Sequence, residues 1–93
     1  MITTLAYHRV ADYDAWRRVF DKLVATPAYD VVQSHRVWRG ADDPNLVIVC
    51  ETFASREVAE AAWNDPSAPE VLAQAGVDMS TLQVHYVDEV AAG

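Results

Sequence analysis

An order of strand, helix, strand, strand, helix, strand runs through this 93-residue chain and constrains its fold more than any other feature. An apolar run from Ile2 to Val10 predicts the first strand, and Asp12 opens an amphipathic helix after it. A second strand over Val31 to Arg39 turns through Gly40-Ala41-Asp42-Asp43-Pro44-Asn45 into a third over Leu46 to Phe53. Ser55 then opens another helix, and the chain closes on a fourth strand read over Leu82 to Val90. Two helices can cover only one face of such a sheet, so the other face meets either water or a second copy. In Leu46-Val47-Ile48-Val49-Cys50 no alternation survives, which is how a strand buried from both sides reads. A homodimer is therefore expected, because a chain this short makes one domain, residues 1–93, with a small core of its own.

The helices carry their own punctuation. With Asp12 as N-cap, Tyr13, Trp16, Val19, Phe20, Leu23 and Val24 fall on one helical stripe, and Thr26-Pro27 stops the helix. Spacing alone makes Trp16 and Phe20 core residues. Ser55 caps the second helix, whose apolar face is Val58, Ala59, Ala61, Ala62 and Trp63. A face made mostly of alanine either lies close to the sheet or leaves a cleft beside it. Asn64-Asp65-Pro66-Ser67-Ala68-Pro69 interrupts that helix, and Glu70 to Ala75 adds a short turn stopped by Gly76, a natural left-handed cap. Right-handed crossovers of the two strand-helix-strand units, joined by the hairpin, give an antiparallel sheet in spatial order 4-1-3-2.

Several function classes fall away on composition. Seven basic residues against fourteen acidic ones leave a formal charge of −7, and the basic ones are scattered, so neither nucleic acid nor an anionic membrane is an expected partner. No apolar stretch reaches bilayer length, the amino terminus lacks a basic region followed by an apolar run, and the lone Cys50 cannot form an internal disulfide. The cytoplasm is the expected compartment. No Gly-rich phosphate loop and no Gly-x-Ser-x-Gly nucleophile turn occurs, which leaves nucleotide cofactors and serine hydrolysis without support.

Three histidines, His8, His35 and His85, each fall in a different strand, with none of the close spacings of zinc sites, so no metal is expected. Val10-Ala11-Asp12 entering the first helix echoes Phe53-Ala54-Ser55 entering the second. By the two-residue period of strands, the echo carries His8 and Glu51 to the face beneath the helices, on neighbouring central strands. His8 is read either as a general acid or base, since imidazole titrates near neutrality, or as a hydrogen-bonded structural histidine. A structural role is the alternative for His35 and His85 too, because one residue of register turns either to the opposite face. Glu51 follows an apolar run, so it is either paired with an arginine such as Arg36 across the hairpin or holds a raised pKa suited to catalysis. Trp38, Trp63 and Tyr86, with Trp16 and Phe20, are candidates to line an aromatic pocket.

The run His8-Arg9-Val10-Ala11-Asp12-Tyr13-Asp14-Ala15-Trp16, then Val19-Phe20-Asp21, Val37-Trp38-Arg39, Asp42-Asp43-Pro44-Asn45, Glu51-Thr52-Phe53 and Ala75-Gly76-Val77, resembles small dimeric α+β-barrel proteins of the antibiotic biosynthesis monooxygenase and polyketide cyclase type. The resemblance spans nearly the whole chain. It implies a ferredoxin-like α+β protomer, βαββαβ with a four-stranded antiparallel sheet in order 4-1-3-2, pairing into a dimeric α+β barrel with a pocket between sheet and helices. Family members include cofactor-free oxygenases of aromatic polyketides, ring-forming cyclases, isomerases and haem-handling proteins. The anthrone oxygenases among them surround substrate with a tryptophan, an asparagine, a tyrosine and an arginine, types supplied here by Trp63, Asn64, Tyr86 and Arg36. The expected activity is proton abstraction from an aromatic or polyketide-like substrate, with His8 and Glu51 as catalytic groups, followed by oxygenation or cyclisation without a cofactor. A non-catalytic dimer binding an apolar ligand or a partner protein, or a haem-handling protein, is the alternative.

Overall fold

The computed structural model describes residues 1–93. Its strands are β1 (Ile2–Val10), β2 (Val32–Arg39), β3 (Leu46–Phe53) and β4 (Val77–Val87). Its helices are α1 (Tyr13–Val24), α2 (Arg56–Trp63) and α3 (Ala68–Gln74), and a 3₁₀ turn over Pro27–Val31 precedes β2. The sheet is antiparallel in the order β2-β3-β1-β4, the expected 4-1-3-2 order traversed from its other edge, and the architecture is a ferredoxin-like α+β fold.

The helix starts are built as the sequence implies. Asp12 accepts a hydrogen bond from the Ala15 amide at 3.0 Å, and Ser55 accepts one from the Val58 amide at 3.3 Å, each satisfying a donor with no partner inside its helix. Gly76 has φ +74°, the left-handed value that ends α3 and sends the chain into β4. In the hairpin, the Asp43 side chain accepts from the Asn45 amide and its carbonyl accepts from Leu46. A Cβ on Gly40 would stand 2.6 Å from that Asp43 carbonyl, which is why the turn begins with glycine.

Strand register sorts the two faces. Ala6, His8 and Val10 of β1 lie with Val47, Val49, Glu51 and Phe53 of β3 on the face under the helices. Leu5, Tyr7 and Arg9 lie with Leu46, Ile48 and Cys50 on the open face. The core is on the helix side, where Trp16 and Phe20 are 3% and 7% exposed and Val47 and Ala59 are fully buried. On the open face Tyr7 remains 37% and Trp38 46% exposed.

Four expectations need correction, the first being the short turn over Glu70 to Ala75: a helix, α3, already begins at Ala68, because Pro69 in its first turn lacks only an N–H that would have no partner there. β4 starts at Val77, five residues before Leu82, because Val77 and Asp78 already pair with Val10 and Arg9. The strand then bulges opposite His8, where the Arg9 amide donates to Thr81 Oγ1 at 2.9 Å, before pairing resumes at Gln83 with Tyr7. It ends at Val87 rather than Val90, since Val87 pairs with Thr3 close to the start of β1. Val31 belongs to the 3₁₀ turn, so β2 begins one residue late. No helix is long and apolar enough to cross a membrane.

Candidate active site

Between the sheet and the helices lies a cavity of 570 Å³. Its floor is Ala6, His8, Val49, Glu51 and Phe53, and α1, α2 and α3 form its roof. Of the two arrangements open to the alanine face of α2, the structure takes both in part. Ala59 is fully buried, whereas Val58, Ala61, Ala62 and Trp63 border the cavity. Trp16 and Phe20, stacked at 5.0 Å with planes 9° apart, are core residues and cavity wall at once.

His8 projects from β1 into this cavity, only 3% exposed, with its ring 5.7 Å from Trp16. Neither of its nitrogens has a hydrogen-bond partner. Burial lowers its pKa, because the charged imidazolium loses its hydration; the Ala6 carbonyl nearby opposes that shift without making a hydrogen bond. The imidazole is therefore neutral at pH 7, with one bare acceptor and one bare donor. A buried polar group left without partners is costly, and most such groups in folded proteins are satisfied.

Glu51 lies four residues along the sheet from His8, since Thr4 pairs with Glu51 and His8 with Val47. That separates the two Cα positions by roughly 13 Å. The carboxyl is 8% exposed and accepts a hydrogen bond from the Tyr29 hydroxyl. Burial pushes the Glu51 pKa up, while the Tyr29 hydrogen bond and the nearby His35 pull the other way. Tyr29 is pushed far above the usual phenol range, first by burial and then by the neighbouring carboxylate, so its hydroxyl stays a donor. His35 stands opposite Glu51 on β2 and meets the rings of Phe20 and Tyr29 edge to face at 5.5 and 5.6 Å. Aromatic rings thus run from His8 through Trp16 and Phe20 to Tyr29.

The other residues singled out from the sequence are dispersed. Trp63 borders the cavity, and its indole N–H points at Thr4 Oγ1, 3.5 Å away. Asn64 is the exposed C-cap of α2. Trp38 and Arg36 pair with Ile48 and Cys50 on the open face, which rules out the suggested Arg36–Glu51 ion pair. His85 also faces the open side, opposite Leu5, with Tyr7 edge-on at 6.0 Å. Tyr86 pairs with Thr4 and lies under the Arg56 guanidinium at 4.6 Å, in a separate 490 Å³ hollow along β4.

Tyr29 is the site residue that sequence reasoning missed. In the sequence Thr26-Pro27 marks the end of α1, yet proline also favours the first position of a new helical turn. An aromatic residue two places after such a proline, ahead of an apolar strand, is the signal that was there to find. No group of three or more histidine, cysteine or acidic side chains is arranged to hold a metal ion.

No protein-family model and no curated protein matches the chain. Solved structures do. The cofactor-independent oxygenase SnoaB from Streptomyces nogalater, in a mutant form, superposes with a TM-score of 0.76 at 13% identity, covering 98% of this chain and 94% of its own. A protein described as an antibiotic biosynthesis monooxygenase from Bordetella bronchiseptica gives a TM-score of 0.77 at 11% identity, covering 97% of each chain. Another so described, from Chloroflexus aurantiacus J-10-fl, gives 0.69 at 19% identity and covers 100% of this chain and 97% of that one. At these identities the likeness is one of fold: this chain has the ferredoxin-like fold of the antibiotic biosynthesis monooxygenases.

Proposed function

We propose that this protein is an enzyme that takes a proton from an aromatic or polyketide-like small molecule inside the cavity and then oxygenates it or closes a ring, with no organic cofactor. The observation that carries this reading is His8, a neutral imidazole with two unpartnered nitrogens on the wall of an apolar chamber. Such a group is a base waiting for a proton donor. The fold it shares with a cofactor-independent oxygenase adds support.

In the proposed reaction the free His8 nitrogen accepts a proton from a phenol O–H or an activated ring C–H. The electron pair left behind spreads over the fused rings, and the stacked Trp16 and Phe20 provide a flat wall for them. In oxygenation, the carbanion transfers electrons to dioxygen and forms a C–O bond, the resulting peroxide anion takes up a proton to become a hydroperoxide, and loss of water from it leaves a new carbonyl. One oxygen atom stays in the product and the other leaves as water. In cyclisation, the same carbanion attacks a carbonyl carbon of the substrate, whose oxygen then takes the proton. Once protonated, as its raised pKa favours, Glu51 would donate to a substrate oxygen at the far end.

A second copy is the proposed partner for the open sheet face, where Tyr7, Trp38, Ile48 and Cys50 form an apolar strip. The cytoplasm is the proposed compartment, since a reducing environment suits the free Cys50 thiol.

The test is oxygen uptake with an anthrone substrate, alongside product analysis for ring closure on a polyketide mimic. The wild type is expected to turn over, and His8→Ala to lose about 10²- to 10⁴-fold in rate. Absence of oxygen consumption and of any substrate conversion by the wild type would defeat the proposal.

A further inference from the structure

The cavity has polar groups at its two ends and no positive charge anywhere on its wall. At one end are the bare nitrogens of His8, and at the other the Glu51 carboxyl with its Tyr29 partner. The only other charged group on its boundary is Asp65, an exposed residue that is itself acidic. All seven basic residues are engaged or point elsewhere. Arg9, Arg17 and Arg56 pair with Asp43, Asp21 and Glu60. Arg39 lies over the Tyr13 ring, Arg36 is on the open face, and Arg18 and Lys22 are exposed on α1.

We infer, on the basis of the function proposed above, that the cavity selects uncharged, elongated fused-ring molecules, phenols and ketones without a carboxylate or phosphate, anchored through an oxygen on His8. A buried anion needs a paired cation or several donors to replace its lost water, and this wall offers one uncommitted donor, the His8 imidazole N–H, beside two acidic groups, because the Tyr29 and Ser67 hydroxyls and the Trp63 indole N–H already donate to Glu51, Asp65 and Thr4. The chain's formal charge of −7 adds a general repulsion toward anions. A phenol or ketone oxygen instead satisfies the one orphaned polar side chain in the molecule. The apolar remainder of the ligand then lies along the stacked Trp16 and Phe20 between the two polar ends.

The experiment is a titration of the wild-type protein at about pH 8, following tryptophan fluorescence, with 2-hydroxyanthracene and with anthracene-2-carboxylate. The two probes share shape and differ in charge. The phenol is expected to bind at least tenfold more tightly. Equal or tighter binding of the carboxylate would overturn this selectivity while leaving the proposed chemistry standing. Failure of both probes to bind, with anthrone also unconverted, would remove the cavity as a ligand site and both readings with it. His8→Leu is expected to lose about tenfold in affinity for the phenol, while His8→Gln, which keeps a donor and an acceptor, retains it. Unchanged phenol affinity in a folded His8→Leu protein would refute the anchoring role, and the comparison of the two probes stands whether or not that variant folds.

Discussion

Tyr29 donates its phenolic hydrogen to the buried carboxyl of Glu51, tying the short turn after α1 to the strand in the middle of the sheet. Both partners are less than a tenth exposed, so neither has water to fall back on when the other is removed. Tyr29→Phe is expected to destabilise the fold by about 1–3 kcal/mol, the cost of a buried polar group left unpaired. The double variant Tyr29→Phe with Glu51→Leu should lose clearly less than the sum of the single changes. Urea denaturation of the four proteins measures the coupling, and strict additivity would show that the contact contributes nothing.

Opposite pH dependences are expected from the two buried titrating groups. The folded pKa of Glu51 is raised above its ordinary 4.5, so its contribution is fully present below 4.5 and is lost as pH rises through the folded value. The folded pKa of His8 is lowered below its ordinary 6.5, so the stability it permits is present above 6.5 and is lost as pH falls through the folded value. Thermal melts across this range should therefore show Glu51→Gln gaining on the wild type as pH rises, with the gap between them constant below 4.5. His8→Gln should gain as pH falls below 6.5. Parallel curves for wild type and variants would contradict these assignments.

Cavity volume is expected to be separable from stability. Ala62 borders the cavity on a helix of small residues, so Ala62→Phe places a ring in empty space. Filling of this kind commonly adds about 0.5–2 kcal/mol. The variant should melt at or above the wild-type temperature while losing most of its affinity for fused-ring ligands. Undiminished binding would place the ligand elsewhere.

The open face yields a prediction about assembly. Ile48 lies at the centre of that face, between Tyr7 on β1 and Trp38 on β2. Sedimentation velocity at micromolar concentration should find the wild type as dimers, and Ile48→Lys, which puts a charge where two copies meet, as single chains. A monomeric wild type would refute the pairing.

Much of this architecture was legible because local chemistry and long-range pattern agree. Asp12 and Ser55 cap the helices they precede, and β1 alternates cleanly enough to put His8 under them. The start of β4 was hidden because Asp78 bonds both the amide and the hydroxyl of Ser80, turn chemistry inside a strand that bulges. At the site, strand parity brought His8 and Glu51 to one face, but parity cannot identify what a buried carboxyl touches. The partner is Tyr29, on a turn that starts at the same proline that stops α1. Arg36, proposed from its position across the hairpin, is directed away by the pairing of Arg36 with Cys50.

The alanine face of α2 has a consequence for how such a molecule changes over time. His8 and Glu51 belong to the sheet and Tyr29 to one short turn, whereas the room above them is bounded by α1, α2 and α3, the last two carrying its smallest side chains. Those two inheritances are independent. A lineage can enlarge, shrink or reshape the space through exchanges at sites such as Ala61, Ala62 and Val71, and keep His8, Glu51 and Tyr29 untouched throughout.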